Sequence, residues 1–366
     1  MSPVGVAVVG CGTISDEYLR NLTSFPDLRV LYCADLDVER AKAQAARYGV
    51  PAAGGAAQAV ADPEVEIVVN LTIPAAHTEV ALAALAAGKH VWIEKPLALS
   101  TADGRRLLAE AARAGRRIGC APDTILGAGL QTARRLIDTG AIGEPRTALA
   151  LMQDPGPDRW HPAPEFLFQR GAGPLFDIGP YYLATLALLF GPATRVAALG
   201  QQGRADRVIG SGPRAGQAFT VEVPTHVAAL ISFAAGQAAS VLLSFDSPLR
   251  RHGFVEITGT EATLALPDPN RFDGRIGRRG AGAQDWEFVP AEGATAGRGL
   301  GVLDLARALR GGTAHRAGGD LALHVLETME AIAGSIDGGT FEPVGTTFTV
   351  PQTLAADWDP YARTVS

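Results

Sequence analysis

From residue 4 to about Cys120, short apolar runs alternate with Ala-rich stretches in which apolar residues recur every three or four positions. The runs at Val4 to Val9, Val30 to Ala34, Glu66 to Leu71, His90 to Ile93 and Arg117 to Cys120 carry little polar alternation, as expected of strands buried on both faces. The periodic stretches predict helices at about Thr13 to Ser24, Val38 to Tyr48, His77 to Ala87 and Thr101 to Ala114. Ser100, three residues before Asp103, marks the start of the last of these. Strand and helix in strict alternation predict a doubly wound parallel sheet.

Beyond Pro122 the pattern changes. After a helix near Gly127 to Asp138, strand-like stretches dominate, at Arg146 to Met152, Val221 to Phe233, Ala238 to Phe245, Phe254 to Thr258 and Ala262 to Leu266. Helices at about Asp177 to Phe190, Val302 to Arg310 and Leu321 to Ser335 are interspersed. This half therefore reads as α+β on an open, largely antiparallel sheet. The Gly/Arg-rich stretches Gln201 to Gln217 and Arg271 to Ala283 are expected to be exposed loops. The expected division is a dinucleotide-binding domain over residues 1–122 and a substrate-binding and oligomerisation domain over residues 123–366.

Composition narrows the class of protein. With 366 residues, 47% hydrophobic and 19% charged, the chain has enough apolar surface for two cores. A net charge of -6, with both signs scattered, gives no footprint for nucleic acid. The three cysteines, Cys11, Cys33 and Cys120, show no metal-ligand spacing, and the histidines show none either, so no metal is expected. No basic leader and no apolar run of membrane-spanning length is apparent, which gives the expectation of a cytoplasmic protein with no membrane partner.

Three constellations carry chemistry. Gly10-Cys-Gly12-Thr13-Ile14-Ser15 follows a strand and opens a helix, where Gly10 permits a tight turn and Gly12 lets backbone approach a pyrophosphate at the helix N-terminus. Ser15 stands where a third glycine is usual. Asp35 ends the second strand, 25 residues after Gly10, where a carboxylate binds the hydroxyls of an adenosine ribose and repels a 2′-phosphate. NAD is favoured on that ground, and Arg40 leaves NADP open. Glu94-Lys95-Pro96 closes the strand at His90 to Ile93, and only three of the 32 basic residues are lysines, Lys42, Lys89 and Lys95. An ammonium whose pKa moves on desolvation can exchange a proton where a guanidinium cannot.

Asn70-Leu-Thr72-Ile-Pro74-Ala-Ala-His77 followed by Gly88-Lys-His90-Val-Trp-Ile-Glu94-Lys95-Pro96 resembles the Gfo/Idh/MocA oxidoreductases. Gly171-Ala-Gly173-Pro-Leu-Phe-Asp177-Ile-Gly179-Pro-Tyr181 resembles that family's GGGxLxDxGxH segment. The resemblance implies a Rossmann domain followed by an open-sheet domain, NAD(P) as cofactor, and a sugar or polyol whose secondary hydroxyl is oxidised or ketone reduced. It implies that Gly10, Gly12, Thr13 and Ile14 hold the pyrophosphate, that Thr72, Pro74 and His77 line the cofactor cleft, and that Glu94 and Lys95 sit beside the nicotinamide. Tyr181 replaces the histidine that many members use as proton acceptor.

In this reading Lys95 takes the hydroxyl proton, relayed through Tyr181 or His161, while Asp177 orients the sugar. If Asp177 opens a helix, Tyr181 shares its face at i+4. Trp160 and His161, in a Pro-rich loop, and Asp123, just past the last strand of the first domain, complete the expected substrate set. A glycosidase-like oxidation and elimination, or a nucleotide-binding sensor without activity, are the alternatives. The open sheet is expected to pair copies into a homo-dimer or homo-tetramer.

Overall fold

The computed structural model describes residues 2–364. The chain divides into two compact units, which are described separately. The first comprises Met1–Gln131, Glu292–Leu326 and Pro351–Ser366, the second Thr132–Ala291 and Glu327–Val350. The first unit thus extends past the expected boundary at residue 122 and regains two later segments.

In chain order the first unit holds β1 (Val4–Val9), α1 (Ser15–Leu22), β2 (Leu28–Ala34), α2 (Val38–Tyr48), β3 (Ala52–Gly54), α3 (Ala56–Ala61), β4 (Ile67–Asn70), α4 (Pro74–Ala86), β5 (His90–Ile93), α5 (Thr101–Ala114) and β6 (Ile118–Cys120). The strands form one parallel sheet in the order β3-β2-β1-β4-β5-β6. Every residue of β1 and β4 is buried, which is why their runs lack polar alternation. The strand order reverses between β1 and β4, so the crevice at the carboxyl ends of these two strands is where such a sheet takes a ligand. Asp37 caps α2 by accepting the Arg40 amide at 3.2 Å, and Ser100 caps α5 by accepting the Asp103 amide at 3.1 Å.

After α6 (Ala128–Asp138) come β7 (Pro145–Gln153), α7 (Gly173–Asp177), α8 (Gly179–Phe190), β8 (Ala193–Gln201), β9 (Asp206–Val208), β10 (Ala218–Thr220), β11 (His226–Phe233), β12 (Ala238–Ser244), β13 (Arg251–Gly259), β14 (Ala262–Leu266), β15 (Ile276–Gly280) and β16 (Glu287–Val289). Then follow α9 (Leu300–Gly311), α10 (Gly319–Gly338) and β17 (Glu342–Pro343). The second unit is built on a nine-stranded sheet ordered β16-β15-β14-β13-β7-β12-β11-β8-β17, antiparallel except for the central β7/β12 pair. Along β11, Val227, Ala229, Ile231 and Phe233 are buried, whereas His226, Ala228, Leu230 and Ser232 face out. One face is covered and one is open.

Two expectations change here. The Gly/Arg-rich stretches are not plain loops: the first contains β9, which pairs with β10, and the second contains β15. Arg207 within β9 is buried because Asp158 and Asp246 pair with it. The helix expected from Asp177 to Phe190 is two helices, with Asp177 ending α7 and the chain turning at Ile178 before α8. Pro180, with no N–H, sits in the first turn of α8, where a helix tolerates it. Asp177 therefore neither caps α8 nor opens a helix with Tyr181. No described helix is long and apolar enough to cross a membrane.

Candidate active site

The turn after β1 is built for close approach. Gly10 has φ +97°, and a Cβ there would stand 2.6 Å from the Leu71 carbonyl carbon and 2.7 Å from the Thr72 nitrogen, so a side chain is excluded by backbone conformation and by space. Gly12 is different: nothing lies within 4 Å of where its Cβ would be. Among the described residues, the amides of Gly12, Thr13 and Ile14 meet no acceptor, and α1 begins without a side-chain cap. An open surface with unpaired N–H groups at a helix N-terminus fits a pyrophosphate. Ser15 fills the place of the third glycine because it is buried and ties the turn, its Oγ donating to the Gly12 carbonyl at 2.6 Å and accepting from Gln44 at 3.1 Å.

Asp35 closes β2 beside this turn. Its Oδ2 accepts the Cys11 amide at 2.7 Å and its Oδ1 the Asp37 amide at 2.9 Å, while Arg40 Nη1 lies 3.6 Å away. A carboxylate has about four acceptor sites, so two remain for ribose hydroxyls. Leu36, entirely exposed, follows β2, and Ile73, 70% exposed, follows β4, the two strands that flank β1. Sequence reasoning singled out neither as a candidate. The signal for Leu36 was an apolar side chain directly following a strand-end carboxylate.

At the end of β4 the buried Asn70 accepts from the Thr72 hydroxyl at 2.6 Å and donates to the His77 carbonyl at 3.0 Å. His77 is fully buried, with Nδ1 2.8 Å from the Pro96 carbonyl and Nε2 3.0 Å from the Thr72 carbonyl. Burial pushes its pKa down. Of the three residues expected to line the cleft, Pro74 is exposed and Thr72 half-buried. His77 instead stitches the β4–α4 turn to the segment after β5, its two ring nitrogens being occupied by backbone.

Glu94 is also turned inward. It is 7% exposed, with Oε2 accepting the Lys95 amide at 2.6 Å and Oε1 the Tyr18 hydroxyl at 3.3 Å; Trp92 Nε1 donates in turn to the Tyr18 oxygen at 3.2 Å. Burial, reinforced by the Glu94 charge, pushes the Tyr18 phenol well up. Glu94 supports the backbone of Lys95, which is half-buried at this strand end.

Asp123 corrects another expectation. It is fully buried, and its Oδ2 accepts the amides of Gly299 at 2.8 Å and Gly301 at 3.1 Å, at the start of α9. Burial pushes its carboxyl up to about 6 against the pull of Arg298 and the two amides. A helix-capping carboxylate with no exposure does not meet substrate hydroxyls.

In the second unit, Asp177 is half-buried and Tyr181 is 4% exposed within the wholly buried α8. Trp160 and His161 stand together in the loop after β7, joined by Phe166, another residue that sequence reasoning missed. The Ala163 amide donates to His161 Nδ1 at 3.0 Å. With Nδ1 accepting, a neutral His161 carries its proton on Nε2 and presents a donor there. The three cysteines are free and buried. Among the described residues no cluster of His, Cys, Asp and Glu is arranged to hold a metal.

Comparison with known proteins agrees with this geometry. Residues 4–121 match a family model described as oxidoreductase family, NAD-binding Rossmann fold, and residues 130–265 match the GFO/IDH/MocA C-terminal domain. An uncharacterised oxidoreductase of Rhizobium meliloti is 29% identical over 275 residues, covering 74% of this chain and 76% of the relative. Inositol 2-dehydrogenase 3 of Saccharopolyspora erythraea is 32% identical over 163 residues, covering 44% of this chain and 48% of that protein. An NAD binding oxidoreductase of Klebsiella pneumoniae superposes with a TM-score of 0.81 at 25% identity, covering 94% of this chain and all of that one.

Proposed function

The chain belongs to the Gfo/Idh/MocA family of NAD-binding oxidoreductases, and from that premise we propose that it transfers a hydride between NAD and a secondary hydroxyl or ketone of a sugar, polyol or glycoside. The observation that carries this reading is the open Gly10–Ile14 turn with unpaired amides beside Asp35, on the same sheet edge as Lys95. The amides of Gly12, Thr13 and Ile14 hold the pyrophosphate, Asp35 the adenosine ribose, and Leu36 and Ile73 the adenine. Thr72, Glu94 and Lys95 stand toward the nicotinamide end. When bound, the nicotinamide supplies the hydride acceptor or donor.

Lys95 takes the proton from the reacting hydroxyl, or returns it to the ketone oxygen. Glu94 fixes the Lys95 backbone, and Tyr18 and Trp92 fix Glu94. Asp177 and Tyr181 orient the substrate, and Trp160 and His161 bind it, His161 through its Nε2–H. The inositol dehydrogenase relative supports a polyhydroxylated substrate. Asp35 favours NAD over NADP because its charge opposes a 2′-phosphate. The test is Lys95→Met, assayed by NADH fluorescence against sugars, inositols and glycosides. Turnover should vanish while NAD binding persists in calorimetry, and undiminished turnover would remove Lys95 from the chemistry.

The same reading includes a homo-oligomer formed through the open sheet. Leu149, Leu199, Leu230 and Phe341 are exposed along one groove on its outer face, an apolar patch that monomeric proteins rarely leave in water. Leu230→Arg should shift the sedimenting species toward monomer. An unchanged sedimentation profile would place the interface elsewhere.

A further inference from the structure

The loop after β7, two residues of which the proposed function assigns to substrate binding, carries a group of rings. Trp160 is 62% exposed and Phe166 55%, although burying a side chain of this kind is worth about 1.5–3 kcal/mol. His161 stands between them, its ring centroid 5.6 Å from Trp160 at 70° and 5.3 Å from Phe166 at 73°. These edge-to-face contacts hold the three rings as one cluster, called the ledge below, in which the Trp160 indole offers the largest face.

The ledge is also stiff. The amides of Trp160 and His161 both donate to the Pro157 carbonyl, at 3.1 and 2.8 Å, and the Ser211 hydroxyl donates to the Trp160 carbonyl at 2.7 Å. Beneath it, the Gly210 amide donates to the Asp158 carbonyl at 2.7 Å, and the Asp158 carboxylate pairs with Arg207 at 2.6 Å. A buried guanidinium is costly to desolvate, and geometric definition is the return expected for it. The 3₁₀ turn holding Phe166, Glu165–Phe168, packs on α7, the helix that ends in Asp177.

The flat face of the Trp160 indole, with the His161 N–H donor beside it, is complementary to a polyhydroxylated ring, which has a C–H face and hydroxyls around its rim. An open-chain polyol must freeze several C–C torsions to present such a face, at an entropic cost that a ring has already met. We infer that Trp160, with His161 and Phe166, is a specificity-determining site that selects cyclic over open-chain polyhydroxy ligands by stacking. The substrate class rests on the oxidoreductase reading above; the selection by ring shape rests on the ledge.

Calorimetric titration of the full chain with myo-inositol, the methyl pyranosides of glucose and galactose, sorbitol and mannitol reads binding without turnover. The best cyclic ligand should bind about tenfold tighter than the hexitols, a margin within reach of aromatic contact energies. Trp160→Ala should collapse that ratio to near unity, and Trp160→Phe should restore most of it, a rescue that a folding defect would not give. Absence of binding by every probe, equal affinity for rings and chains, or an unchanged ratio in Trp160→Ala each overturns the inference. Dissociation of an oligomer by Trp160→Ala with the ratio intact would assign the ledge to a second copy and overturn it too. Ring selectivity that persists in a protein consuming no NADH would instead refute the oxidoreductase reading and leave the ledge standing.

Discussion

Removing the cation beneath the aromatic loop tests whether that loop is held by charge. Arg207 is 3% exposed, Asp158 7% and Asp246 20%. Nη1 donates to Asp158 at 2.6 Å and to the Pro155 carbonyl at 2.9 Å; Nη2 donates to the Phe245 carbonyl at 2.7 Å and to Asp246; the guanidinium lies 4.9 Å over the Phe168 ring. Arg207→Met retains much of the stem's volume but leaves two carboxylates and two carbonyls without their donors. Deleting one partner of a buried pair costs about 3–5 kcal/mol. Asp246 keeps a hydrogen bond from Thr225 and some contact with water, so most of the loss falls on Asp158 and the expected value is about 4 kcal/mol. The triple variant Arg207→Met, Asp158→Asn, Asp246→Asn removes the charges together, and most of that loss should return, since a buried ion pair contributes little net stability over neutral replacements of similar size. Urea unfolding followed by circular dichroism measures both. Hydrogen exchange at the Gly210 amide, whose acceptor is the Asp158 carbonyl, reports the loop directly and should accelerate in the single variant. A single variant within about 1 kcal/mol of wild type, well under the range for breaking a buried pair, would refute the reasoning, as would a triple variant no more stable than the single.

Asp123 predicts a pH dependence. Its folded pKa of about 6 lies above the ordinary 3.8, so the folded chain binds this proton more tightly than the unfolded one. The stability this adds is full below about pH 4 and is lost as pH rises through 6, amounting to about 3 kcal/mol by linkage. Asp123→Asn should flatten the urea-derived stability between pH 4 and 7 relative to wild type, and identical slopes would sink the assignment. Asp35→Ala removes a charged acceptor worth about 1.5–3 kcal/mol, so NADH affinity should fall about tenfold or more. NADPH affinity should fall less because a repulsion is lifted, and equal losses in fluorescence titrations would show that Asp35 does not discriminate.

What the chain reveals before folding follows the range of the interactions concerned. The parallel strands and the Ser100 cap were readable because each depends on residues within three or four positions, or on burial that erases alternation. β3 and α3 were not: an Ala/Gly stretch has no period, and β3 exists because Tyr32, Cys33 and Ala34 offer it an edge. The break at Ile178 was hidden by a run apolar on all sides, although Pro180 marked it, since a proline ring clashes with the carbonyl four residues back inside a continuous helix. Asp123, His77 and Arg207 looked like a sheet-edge acid, a cleft histidine and a loop charge. Their partners lie at Gly299, Pro96, Asp158 and Asp246, beyond any local pattern.

That division has a chemical reason. A dinucleotide is held chiefly by one turn's amides and one strand-end carboxylate, so its recognition is backbone geometry, and glycine at Gly10 and Gly12 advertises it. Sugar recognition depends on how side chains are aimed, and aim is set by what lies beneath them. His161 illustrates the point: as a residue type it qualifies as a base, but the Ala163 amide two residues on occupies Nδ1, so the neutral ring holds its proton on Nε2 and donates there. In the proposed mechanism proton transfer falls to Lys95, whose backbone is anchored through Glu94 and Tyr18 to the helix that begins at the Gly10–Ile14 turn.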